Sequence, residues 1–187
     1  VVIRELLANA LIHQDFEMGG VSPTVEVFSN RVEISNPGEP IVPVERFIDG
    51  YQSRNERLAD LMRRFGICEE KSSGIDRVIE SAELMQLPAP EFLTGHKRTT
   101  VVIYGPRAFR EMNGSDRVRA CYQHCVLQYV LRKQMTNQSL RERFGLSEGS
   151  SNTVSQIITA TMEQRLVKND PNAPDSRRYA RYIPIWA

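Results

Sequence analysis

The polar residues that recur every four positions near the start of the chain constrain its fold most. In Arg4-Glu5-Leu6-Leu7-Ala8-Asn9-Ala10-Leu11-Ile12-His13-Gln14-Asp15, the apolar residues Leu6, Leu7, Ala10 and Leu11, with Ile3, have helical spacing, which predicts one buried helix face. Glu5, Asn9 and His13 form a strip along the same helix, beside that face. A carboxylate, an amide and an imidazole in line suit polarising a water and holding a metal-bound phosphate. Polar residues every four positions also mark an ordinary solvated flank.

The chain of 187 residues has room for one or two domains and a substantial core. Its net charge of +1 hides an asymmetry. Residues 1–114 carry 13 basic and 17 acidic side chains, whereas residues 115–187 carry 11 basic and 6 acidic. The C-terminal part is therefore the one suited to a polyanion. Three cysteines without framework spacing point to a reducing, cytoplasmic setting, and no apolar run is long enough for a membrane span. The chain opens inside a helix with no Met and no clear N-cap, the pattern of a fragment.

Beyond Gly19-Gly20, residues 24–28 and 31–35 alternate as two strands of a hairpin turning on Ser29-Asn30. Asn36-Pro37-Gly38, Pro40 and Pro43 predict an extended loop. A helix is expected over 56–65, with Leu58, Leu61, Met62 and Phe65 facing inward and Gly66 as its stop. Another is expected from Ser72-Ser73-Gly74 through Met85, and residues 99–104 read as a buried strand. Met112-Asn113-Gly114-Ser115 falls where the charge changes sign and is the expected joint between domains 1–112 and 115–187. The second domain reads as a helix over 116–133, a short helix capped by Thr136, a third helix over 152–166 and a hairpin over 168–186. Its tip is expected at residues 169–176. Cys121 and Cys125 flank His124 on one helix, where core packing is the better reading than a zinc site.

E-x-x-x-N-A-x-x-H resembles the N-box of the GHKL nucleotide-binding fold, shared by gyrase B, heat-shock chaperones of that fold, MutL and histidine kinases. With Arg31-Val32-Glu33-Ile34-Ser35-Asn36-Pro37-Gly38 and Ser73-Gly74-Ile75-Asp76-Arg77-Val78-Ile79, residues 1–105 resemble one branch more closely. That branch is the C-terminal module of bacterial proteins described as RecG-related helicases or Schlafen-AlbA-type transcriptional regulators. The resemblance implies an α+β fold, a two-layer α/β sandwich of Bergerat-like type. It implies Glu5 as general base, Asn9 as the magnesium ligand, and His13, Asn36, Gly38, Lys71, Ser73 and Gly74 as further contacts to Mg-ATP. The chain departs from the family where Asn36 replaces the adenine-binding Asp and where serines precede Gly74. Ser72 or Ser73 reads equally well as a helix cap. No G-x-x-x-x-G-K-[ST] loop accompanies the helicase resemblance.

The order of elements after residue 115 resembles a winged helix-turn-helix, which implies duplex DNA as partner. Asn152, Thr153 and Gln156 would face base edges or phosphates, and Arg141, Arg143, Arg177, Arg178 and Arg181 would meet the backbone. The expectation is a bacterial DNA-binding transcriptional regulator, acting as a homodimer, with a degenerate ATP-binding module. Its alternatives are a magnesium-dependent ATPase and a protein-interaction module without a ligand.

Overall fold

The structure, a computed structural model, describes residues 2–50, 52–68, 74–174 and 179–187. Helix α1 (Val2–His13) buries Leu6, Ala8, Ala10 and Ile12, together with Glu5. Ile3, Leu7 and Leu11 face outward instead of lining the core as their spacing predicts. The cause is that α1 packs against two partners along two lines. Leu6 and Ala10 meet Ile34 and Val78, while Ala8 and Ile12 meet Ala59 and Met62. Between those lines run Glu5, Asn9 and His13, so the polar strip occupies the middle of the inward arc.

Ile34 belongs to a four-stranded antiparallel sheet of β1 (Thr24–Val27), β2 (Arg31–Pro37), β3 (Glu91–Gly95) and β4 (Arg98–Tyr104), in the order β1-β2-β4-β3. Register sets Val32 opposite Ile103 and Ile34 opposite Val101. Period-2 alternation therefore brings Asn36 to the same apolar face as Ile34. The β3–β4 turn carries His96 and Lys97 at φ of 50° and 56°, the left-handed pair that a tight hairpin requires. Sequence reading missed β3, because Glu91-Phe92-Leu93-Thr94-Gly95 is too short and polar to stand out beside β4.

Helix α2 (Glu56–Arg64) buries Ala59 and Met62. Leu61 and Phe65 are not on its inward face, and Phe65 is 72% exposed. Helix α3 runs Gly74–Leu84, with Val78 and Ile79 in the core. The chain divides into two compact units, Val1–Ser81 with Pro90–Gly105 and Ala82–Ala89 with Pro106–Ala187.

The expected joint at 112–115 is instead part of the second unit. Asn113 caps helix α4 (Gly114–Val130) in a capping box with Asp116, whose carboxylate also pairs with Arg107 and Arg119. Phe109 stacks edge-on against Phe144, with ring centroids 5.0 Å apart, so residues preceding the cap already belong to this core. Helix α5 (Asn137–Arg143) starts with the Thr136–Ser139 capping box. It ends at Gly145, whose φ of +63° allows Gly145 N and Leu146 N to donate to the carbonyls of Glu142 and Arg141. Helix α6 (Ser151–Glu163) follows, then β5 (Val167–Asn169) and β6 (Tyr182–Pro184), which pair antiparallel. An isolated bridge from Met135 to Tyr182 adds the segment before α5 to that pair. Cys121, Cys125, Val126, Met135, Leu140, Val154 and Ile158 form the centre, and the thiols of Cys121 and Cys125 are held protonated by burial.

Candidate functional site

Within the first unit the middle of α1 faces a cleft of about 140 Å³, near the ~150 Å³ cavity volume that accepts one benzene ring. Glu5, Asn9 and His13 line it together with Asn36, Gly74 and Thr99, and its apolar wall includes Ile41, Val42, Phe47 and Ile48. Each polar group is delivered by a different constraint. Glu5 is only 2% exposed, and its Oε1 accepts a hydrogen bond of 3.2 Å from Arg4 Nη2. Gly74 lies beside the strip: a Cβ there would be in van der Waals contact with Asn9 Nδ2 at 3.4 Å and Glu5 Oε2 at 3.6 Å. The first turn of α3 thus begins against the polar strip.

At the other side Asn36 is 7% exposed, and its Nδ2 donates to Pro37 O at 3.1 Å. That bond orients the amide so that Oδ1 remains an acceptor. Thr99 Oγ1 donates to Gly38 O at 2.8 Å, so its lone pairs also accept. Gly38 acts through its backbone: its φ is +102°, and a Cβ would come 2.9 Å from Asp15 Cβ. Gly38 N donates to Lys97 O and Asp15 N donates to Pro37 O, which closes the loop beneath the end of α1. Lys71 and Ser73 lie outside the described residues.

Three further contributors were not anticipated. Asn55 Nδ2 donates to the carbonyls of Ile12 and Gln14, both at 2.8 Å, and so satisfies the free end of α1. Arg54 donates to Glu39 O at 2.6 Å and lies near Asp15. Burial, and secondarily the Arg54 charge, lowers the His13 pKa, so this imidazole is neutral at pH 7. Asp76, in the first turn of α3, is the third: burial pushes its carboxyl up to about 6, and Oδ1 has no partner. Its only sequence signal was the position just after Ser-Gly-Ile. Among the described residues no group of three or more His, Cys, Asp or Glu side chains is placed to hold a metal by itself.

In the second unit Asn152 and Gln156 project from α6 into solvent, and Thr153 is half-buried. Arg181 is exposed before β6, while Arg141 is half-buried and donates to Asn137 Oδ1 at 3.1 Å. Arg143 differs from its expected surface role. It is 5% exposed, its Nη2 donates to Leu87 O at 2.8 Å, and its guanidinium stacks over Phe144. The reason is that α5 turns this position towards the segment 82–89. Arg177 and Arg178 lie outside the described residues.

Residues 20–103 match the family described as putative ATP-dependent DNA helicase RecG, C-terminal. This makes most of the first unit similar to a GHKL-like, RecG-related module. The match begins after α1 and also takes in Ala82–Ala89, which belong to the second unit. Among solved structures, the DIP2311 protein from Corynebacterium diphtheriae is similar over 98% of this chain and 40% of its own, with a TM-score of 0.56 and 15% identity. The chain therefore spans two fifths of that protein, and the likeness is one of fold. No curated protein matches the chain. No helix among the described residues is long and apolar enough to cross a membrane.

Proposed function

We propose that the chain is a DNA-binding regulator in which the second unit is a winged helix-turn-helix and the first a degenerate nucleotide module. The observation that carries the DNA reading is the solvent face of α6. Its amide side chains Asn152 and Gln156 stand on the second helix of a helix–turn–helix followed by a two-stranded hairpin. Amides of this kind pair with base edges, and Arg181 is available for a phosphate. The Asn152→Ala, Gln156→Ala double variant is expected to reduce discrimination between a selected site and random duplex by about tenfold or more, at about 1–3 kcal/mol per lost base contact. Competition binding with both duplexes tests this; unchanged discrimination refutes the assignment of α6.

A second reading has its own support, the convergence of Glu5, Asn9, Asn36 and Gly74 on one cleft. These residues fit Mg-ATP: Asn9 would hold magnesium through its amide oxygen, α3 would face phosphate with its first amides, and Asn36 Oδ1 would accept from an amino group on the base. A neutral amide in place of a carboxylate weakens that last contact by about 1–1.5 kcal/mol, or roughly one decade in affinity. Weak Mg-ATP binding is therefore expected, and calorimetry checks it. A micromolar or tighter constant abolished by Asn9→Ala would overturn the degenerate reading in favour of an ATPase with Glu5 as base.

A further inference from the structure

Asn36 and Thr99 are direct cross-strand partners on β2 and β4, 7% and 8% exposed, and both line the cleft of the first unit. Opposed residues of an antiparallel pair stand side by side on one face. The next pair on that face is Ile34 and Val101, which line the cleft as well. A buried polar pair therefore adjoins an apolar floor.

The hydrogens of the polar pair can be counted. Pro37 O is a carbonyl and only accepts, so the 3.1 Å contact turns the amide nitrogen of Asn36 towards it and leaves Oδ1 as the free end. Gly38 O likewise only accepts, and the 2.8 Å contact commits the single hydroxyl hydrogen of Thr99. A ligand thus meets two neighbouring acceptors, Oδ1 and Oγ1, with the second Nδ2 hydrogen beside them. An acceptor left unpaired at this depth costs free energy, which a ligand bringing N–H groups recovers. Among the common bases, guanine alone sets two such donors side by side on separate positions, N1–H and the 2-amino group, next to a carbonyl. Adenine and cytosine bring one amino group beside a lone-pair nitrogen, and uracil one N–H between two carbonyls. Each of these leaves an acceptor unfilled or turns a lone pair against it.

We propose that the cleft selects a guanine nucleotide, with ATP the weaker ligand. Asn36 Oδ1 accepts from N1–H, Thr99 Oγ1 accepts from the 2-amino group, and the 6-oxo group takes the remaining Nδ2 hydrogen of Asn36. This selection rests on the nucleotide reading of the cleft given above. Asn36 and Thr99 bind and do no chemistry.

The test titrates the full chain, with magnesium, against GTP, ITP and ATP by ligand-observed NMR at millimolar nucleotide. ITP is GTP without the 2-amino group. GTP is expected to bind about fivefold more tightly than ITP, the worth of one hydrogen bond, and more tightly than ATP. Thr99→Val keeps the shape but removes the acceptor, and should bring GTP and ITP to one affinity; Thr99→Ser should restore the gap. The ratio of the two constants is decisive, because a general loosening of the site weakens both alike, and the wild-type ratio stands even if Thr99→Val fails to fold. ITP equal to GTP in the wild type, or a gap that persists in Thr99→Val, overturns the proposal. ATP tighter than GTP also overturns it while leaving the nucleotide reading in place. No binding of any of the three overturns both.

Discussion

Asp76 shows how much one side chain reveals about its surroundings. Its carboxyl moves from 3.8 to about 6, first through burial, with a backbone hydrogen bond opposing and Asp49 and Glu80 adding like charge. The folded protein therefore keeps a proton that the unfolded chain releases, and stability falls as pH rises between those two values. Asp76→Asn removes this linkage. It should stabilise the protein by about 1 kcal/mol at neutral pH, a value discounted for a half-exposed side chain, and by nothing at pH values below the unfolded carboxyl range. Urea midpoints at the two pH extremes check this; an equal difference at both would contradict it. Gly145 offers a second residue-scale test. A Cβ there would fall 2.6 Å from the Gln86 amide, and the positive φ adds strain. Gly145→Ala should cost about 1–3 kcal/mol. Adding Gln86→Ala should recover the steric part but not the backbone part, as thermal unfolding would show.

At the scale of elements, the orientation of α1 is the decisive fact. Leu6→Ala should cost about 2–5 kcal/mol because it empties a core position, whereas Leu7→Lys should stay within about 0.5 kcal/mol. Equal losses would mean that the helix is turned as its apolar spacing predicts. The sequence showed the strip Glu5, Asn9, His13 clearly but misassigned the face, because spacing cannot say how many partners a helix packs between. The caps at Asn113 and Thr136 follow from local hydrogen-bonding rules. Thr136 was legible for that reason, whereas Asn113 was taken for linker. Arg143 was illegible as a buried group: arginine is ordinarily solvated, and only the tertiary neighbour Leu87 explains its place. Asn36 and Thr99 come together through strand register, which no local pattern encodes.

At the scale of the whole molecule, two units carry opposite charge balances, and the proposed helix–turn–helix lies in the basic one. Winged-helix binding to duplex is the central claim. It makes a demand beyond contact geometry, because a protein that neutralises phosphates releases counterions and must lose affinity with salt. The direct measurement is fluorescence anisotropy of the full chain with a labelled duplex across a salt series. The account predicts a linear fall of log affinity with log salt, and a slope reduced by about one unit in Arg181→Ala if that side chain meets a phosphate. Affinity independent of salt, or no binding to any duplex at low salt, would contradict it and leave the second unit as a protein-interaction domain.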